Sequence, residues 1–503
     1  MRRLTLLFTL LPALAVLGCE PQAQQETAET IEAASMAMMM PATTTSDAAL
    51  AEFNAAMDAW DVGRWQDAHE MFVSASEKDP GFARAYLHAG NTSGSTAAFK
   101  KYLDEAKANA TGASEGEQLL IEWNTTLLDN NLDRRLEIAQ QLVEMYPSDP
   151  HALQTLGSVK GTLQKHAEAR ATYQKALELD PDFIPALTSL GFSYLNNEPK
   201  DPTQAEMYVQ KTVDLAPDEP VLWVNLGDIQ RGTNRLMEAR DSYRKATELD
   251  AMNDLAWSKS GHANSFLGYY DEARSDYDQA MATAVDRNKV EWGSFKAYVH
   301  VYAGDPEAAI EELKGLYESI ETAGIPEDQV LSTKSNILGQ MSTIAMHYGM
   351  IDVAEKTVAK RNETRLEYAE TIGTEEFTRR TKAGVAVWEG TLAARKGDFA
   401  AARSKAEENA SLREPESNPR KLEVYHNLMG LIEMGEGNYA AAVEHYRQGS
   451  PNSPYIMYHR ALAEDAAGNA EEANRLFEEV AEYNFNSAAV SCIKNDAIER
   501  VKS

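Results

Sequence analysis

Residues 220–250 read PVLWVNLGDIQRGTNRLMEARDSYRKATELD. Trp223, Leu226 and Gly227 stand at W-x2-L-G spacing, and Ala239, Tyr243 and Ala246 follow at helical offsets. The pattern recurs on both sides. Gly157, Ala169, Tyr173, Ala176 and Pro181 carry it upstream, then Gly191, Tyr194, Ala205 and Pro217. Trp257, Gly261, Gly268, Tyr270, Ala273, Tyr277 and Ala280 carry it downstream. Ala205 to Ala239 and Ala239 to Ala273 are each 34 residues, and Ala169 to Ala205 is 36 because the turn near Pro199–Pro202 is longer.

This period and these residues resemble the tetratricopeptide repeat (TPR), a helix–turn–helix unit of about 34 residues. The resemblance implies that Gly227 lets the first helix approach the second, that Ala239 is small for the same reason, and that Tyr243 fills the space between. One unit cannot bury its own apolar faces, so several must stack. The expected fold is therefore all-α: a right-handed α-solenoid of about 11–12 antiparallel helix pairs. Gly63, Trp65, Ala68, Phe72, Ala75 and Pro80 mark an early unit, with Leu50, Phe53, Met57 and Trp60 on its first helix. Less regular units follow Ala83 and Gly116. Past Asp286 the match is looser, at Gly304, Gly349, Gly390, Gly430 and Gly468, and the units are longer. Val490, Ile493, Ala497 and Val501 predict a last helix that covers the open end of the stack. Cys492 beside them reads as a buried small side chain. The expected divisions are a signal peptide over 1–18, a disordered tether over 19–47, a regular array over 48–287 and a divergent array with its capping helix over 288–503.

The 503 residues carry 78 acidic against 48 basic side chains, a formal charge of −30. That argues against nucleic acid, which needs clustered cations, and leaves a solvated acidic surface as the plain reading. Two cysteines exclude a disulfide framework and a cysteine-based zinc site.

Met1–Glu20 reads as an address. Arg2 and Arg3 precede an apolar run, Leu4–Leu17, too short to span a bilayer as a stable helix. Val16-Leu17-Gly18-Cys19 resembles a bacterial lipobox, with Leu17 a small departure. The resemblance implies cleavage before Cys19, lipidation of Cys19, and, with Glu20 following it, an outer-membrane destination facing the periplasm. Met36, Met38, Met39 and Met40 form a thioether cluster that a Cu(I) carrier would use, although a Met-rich tether accounts for it as well.

No histidine pair has zinc-hydrolase spacing, and neither G-x-S-x-G nor a P-loop occurs. No catalytic residue and no cofactor is expected. The TPR resemblance implies that first helices line a concave groove that holds a protein or peptide segment. Phe192, Asp228, His262, Phe266, Tyr298 and Tyr302 fall on that face, Phe266 and Tyr302 as candidate anchors unless they pack on the next repeat. Arg231 is the only cation at matching positions of the regular units, so this chain is not expected to read an acidic peptide tail. The expected function is a membrane-anchored envelope scaffold for a protein partner. A small-ligand or copper carrier is the alternative, and an enzyme the least favoured reading.

Overall fold

In the computed structural model the described residues are 39–502. Cys19, Met36 and Met38 lie outside them. Twenty-five α-helices and two short 3-10 turns are present, and no strand occurs among the described residues.

The helices pair in chain order. The first pairs are α1 (Asp47–Asp61) with α2 (Trp65–Lys78), α3 (Ala83–Asn91) with α4 (Thr96–Ala108), and α5 (Glu115–Asp129) with α6 (Leu132–Met145). The even middle holds α7 (Pro150–Thr162) with α8 (His166–Leu179), and α9 (Ile184–Asn196) with α10 (Pro202–Leu215). It continues with α11 (Pro220–Gly232) and α12 (Leu236–Leu249), then α13 (Asp254–Leu267) and α14 (Tyr270–Thr283). Longer pairs follow: α15 (Asp286–Tyr302) with α16 (Pro306–Ser319), α17 (Glu327–His347) with α18 (Ile351–Ile372), and α19 (Glu375–Arg395) with α20 (Phe399–Arg413). The last are α21 (Glu423–Gly435) with α22 (Tyr439–Gln448) and α23 (Pro454–Ala466) with α24 (Ala470–Glu482); α25 (Ala488–Lys502) stands alone. Over the described residues the architecture is an α-solenoid of twelve pairs and one extra helix.

Short-range chemistry sets the helix starts. The Ser46 hydroxyl accepts from the Ala49 N–H at 3.2 Å, and Ser114 and Glu117 form a capping box. Pro150, Pro202, Pro220, Pro306 and Pro454 sit in first turns, where a missing N–H removes no helical bond.

Pairing depends on a glycine facing a tyrosine. A Cβ on Gly227 would lie 2.4 Å from Tyr243 Cε1, and Gly157–Tyr173, Gly261–Tyr277 and Gly430–Tyr446 repeat the contact at 2.4, 2.8 and 2.6 Å. Any larger residue there would push the pair apart. Trp223 is half-buried, bridges the two flanking clusters, and donates its indole N–H to Pro217 O at 2.8 Å. Arg170 holds the lengthened turn, bonding the carbonyls of Asn197 and Pro199 and stacking on Tyr194 at 4.1 Å.

Consecutive first helices touch (α9 with α11, α11 with α13, α13 with α15), whereas no comparable packing joins consecutive second helices among the described residues. The stack therefore curves with first helices inside. It bends until α4 meets α17 and α18, and α5 meets α19. Ser95 and Asp328 bond across that seam. Residues 39–46, assigned from sequence to a free tether, are held against the early repeats. Met40 N–H donates to Asp149 at 3.0 Å, Thr43 N–H to Glu117 at 2.8 Å, and Arg84 to the carbonyls of Met40 and Pro41. Met39 is exposed and Met40 half-buried.

At the inner edge, His151 Nε2 donates to Asp61 at 3.0 Å, tying α7 to the end of α1. Burial lowers the ring's pKa, but Asp149 and Asp61 outweigh it and lift it to about 9. A raised folded pKa makes the tie fully effective below the unfolded value of 6.5 and loses it as pH climbs toward about 9. The Tm gap between wild type and His151→Gln should shrink over that window; a gap that stays constant or widens contradicts the assignment.

Candidate partner-binding groove

The inner face of the middle repeats carries the residues singled out from sequence. Asp228 is buried and accepts from Arg231 at 2.7 Å, Tyr243 Oη at 2.8 Å and Lys259 Nζ at 2.9 Å. Burial alone would raise its pKa; Lys259 and Arg231 outweigh that and hold it below the usual value. His262 is buried, its Nδ1 accepts from Tyr277 Oη at 2.7 Å, and its ring stands edge-on to Phe295. Burial, then Arg231 and Lys259, push its pKa well down and keep it neutral. Phe192 packs half-buried beside Leu195 and Leu222. Phe266 is half-buried and edge-on to Tyr302, and Tyr298 and Tyr302 are only 2% and 3% exposed.

The structure brings these groups together beneath the chain's own C-terminus. α25 packs on α23 and α24, as an end cap would, but it also packs on α15 and α17. The Asn484-Phe485-Asn486 loop before it reaches farther. Asn484 donates to Arg231 O at 3.2 Å and to Asn234 at 3.0 Å, and Phe485 lies 4.6 Å from the Arg231 guanidinium. Asn486 accepts from Tyr302 Oη at 2.8 Å and donates to Tyr277 Oη at 3.2 Å. Lys494 stands over the Phe266 ring and donates to the carbonyls of Ala481 and Tyr483; burial brings its pKa down to about 8. Cys492 is buried, and burial pushes its thiol up to about 12. Thus the aromatic strip over His262, Phe266, Tyr298 and Tyr302 is not a free surface in this conformation: residues 483–502 occupy it. Sequence reading passed over the Asn-Phe-Asn loop, which carries no helical period and whose partners are far away in the chain.

Open space lies instead beside the divergent repeats. One cavity of ≈ 520 Å³ is walled by α15, α17, α18, α19 and the start of α25. A second, of ≈ 360 Å³, lies among α17, α19, α21, α22, α23 and α25. The two share Thr343, Trp388 and Ala489, so they form one trough divided by the Trp388 ring. The first is mixed in polarity and contains Arg361; the second is mostly apolar and contains Arg395. Both arginines escaped the sequence reading, which compared cations only at the regular repeat positions. Among the described residues, no group of three His, Cys, Asp or Glu is placed to hold a metal. Nor is any described helix long and apolar enough to cross a membrane.

Tetratricopeptide-repeat family models match residues 53–111, 150–183 and 221–251. These segments are tetratricopeptide repeats. The chain is 28% identical over 266 residues to the cellulose synthase operon protein C of Xanthomonas axonopodis pv. citri, covering 50% of this chain and 17% of that one. It is 23% identical over 236 residues to anaphase-promoting complex subunit 3 of Schizosaccharomyces pombe, covering 45% and 35%. The chain thus spans about a third or less of the length of these relatives. Among solved structures, the anaphase-promoting Cut9–Hcn1 hetero-tetramer aligns with 86% of this chain and 75% of its own, at 16% identity and a TM-score of 0.38. TPR arrays are consistent with protein–protein interaction. The matched segments lie in the first half of the chain, and the trough lies among the pairs that follow.

Proposed function

We propose that this chain is a lipid-anchored scaffold of the bacterial envelope that binds a segment of a protein partner. The observation that carries the binding half is the trough around Trp388, a concave site walled mainly by first helices of the later pairs, with Arg361 of α18, Tyr446 of α22 and the start of α25 completing it. The anchoring half rests on the sequence of Met1–Glu20: a basic start, a short apolar run, and Cys19 in a lipobox-like setting. Two or more acyl chains on one cysteine would hold the protein stably where a single chain would not. Glu20 favours the outer membrane, with the repeats in the periplasm.

Capture from detergent-solubilised envelopes tests the scaffold. A stoichiometric protein that co-purifies with wild type is the expected result; a bound metal or small molecule with no protein would favour a carrier and overturn it. Anchoring is tested separately. Cys19→Ser should leave the membrane fraction or stall in processing, and a variant that fractionates and migrates like wild type excludes lipidation there.

A further inference from the structure

Arginines in this protein are mostly neutralised by its many acids. Arg403 meets Glu433 and Glu436, Arg460 meets Glu464 and Glu472, and Arg274 meets Glu312. The two in the trough are different. Arg361 lies 4.4 Å from the centroid of the Trp388 ring, and its one side-chain bond is from Nη1 to its neighbour Asn362 at 2.8 Å. Arg395 reaches only neutral groups, Tyr455 Oη at 3.2 Å and His459 Nε2 at 3.4 Å, while its Nε is buried without a partner. Gln340 Oε1 in the first cavity and Tyr446 Oη in the second are likewise buried without a partner. Buried polar atoms are normally satisfied. Others without a partner occur elsewhere, as on Arg84, Arg231 and Arg460, but these three belong to side chains that line one open trough, where a ligand can be reached.

The charge pattern says which ligand. Glu291 is the only acid lining the first cavity, and the second has none. A guanidinium stacked on an indole is held flat and aimed, the arrangement suited to a carboxylate taken through two N–H donors. The formal charge of −30 does not forbid an acidic ligand. At physiological ionic strength charges farther than about 8 Å are screened, so the local arginines dominate. Beyond Trp388 the wall turns apolar with Val387, Leu428, Leu431 and Ile456.

Resting on the scaffold reading, we propose that this trough binds an extended segment of the partner that presents an apolar side chain between two carboxylates. Arg361 takes one carboxylate, Arg395 takes the other, and the apolar side chain seats against Leu428 and Ile456. Gln340 accepts a backbone N–H of the segment. This amends the expectation from the regular repeats, which lack such cations: the acid-reading site is in the divergent half.

The test uses the full-length protein and short fluorescein-labelled peptides in which two glutamates flank a leucine at graded spacings, followed by anisotropy. At least one spacing should bind, and its glutamine counterpart should bind about tenfold to a hundredfold more weakly, the range for hydrogen bonds to charged groups. Arg361→Gln and Arg395→Gln should each cause a loss of that order with an unchanged circular dichroism melt. Arg361→Lys, which keeps charge but loses the fork, should fall between. The site is refuted if no spacing binds, if glutamine peptides bind equally, or if both glutamine variants bind like wild type. Free glutarate competing as well as the best peptide would refute an extended ligand. Failure here and failure of the scaffold are separable. An envelope protein still captured by an Arg361→Gln/Arg395→Gln chain removes the site and keeps the scaffold, whereas capture of nothing by wild type removes the scaffold itself.

Discussion

Tyr243→Ala should cost about 3–5 kcal/mol, the range for truncating a buried aromatic ring. Tyr243 is fully buried, its ring fills the space that Gly227 leaves, and its hydroxyl donates to the buried Asp228. The substitution removes the ring and leaves Asp228 with Arg231 and Lys259 as its remaining donors. Tyr243→Phe isolates the hydroxyl and should cost only about 0.5–3 kcal/mol, depending on how the buried carboxylate readjusts. Solenoid stability is roughly a sum of local and nearest-neighbour terms. Hydrogen exchange in Tyr243→Ala should therefore rise first in α11, α12 and α13, and next in the Asn484 loop that bonds to Arg231. A uniform rise along all twelve pairs would contradict local coupling.

Ile493→Ala should cost about 2–5 kcal/mol, and its effect should appear far from its place in the chain. Ile493 is fully buried in the largest apolar cluster, which joins Tyr298 and Tyr302 of α15, Ile337 and Ile344 of α17, and Tyr458 of α23. The early repeats, by contrast, have small clusters built from one or two neighbouring pairs. If α25 only covered the last pair, the loss would stay in α23 and α24. The structure predicts that α15 and α17 loosen as well, read by urea melts with hydrogen exchange. Protection that falls only in α23 and α24 would limit α25 to an end cap.

The repeating half of the fold was legible because its packing rule is local. Gly157–Tyr173, Gly227–Tyr243 and Gly261–Tyr277 lie on paired helices of one unit, so the contact appears directly as a spacing in sequence. The total of pairs was legible for the same reason. What decides the inner surface is non-local. Asn486 meets Tyr302 and Tyr277, and Asn484 meets Arg231, through contacts that no period announces. Phe266, Tyr298 and Tyr302 of the expected groove therefore lie beneath the chain's own C-terminal segment. Arg361 and Arg395 were missed because they stand on long helices outside the regular array, and only the fold places them on either side of Trp388.

The occupation of the middle groove by the C-terminal segment is most directly tested by a photo-crosslinking benzoylphenylalanine placed at Phe485 in the full-length protein. Phe485 packs with Leu195 and Leu226 and stacks on Arg231. After irradiation at low protein concentration, mass spectrometry should find intramolecular crosslinks to peptides from α9 and α11. Crosslinks confined to α23 and α24, or found only between molecules, would contradict it.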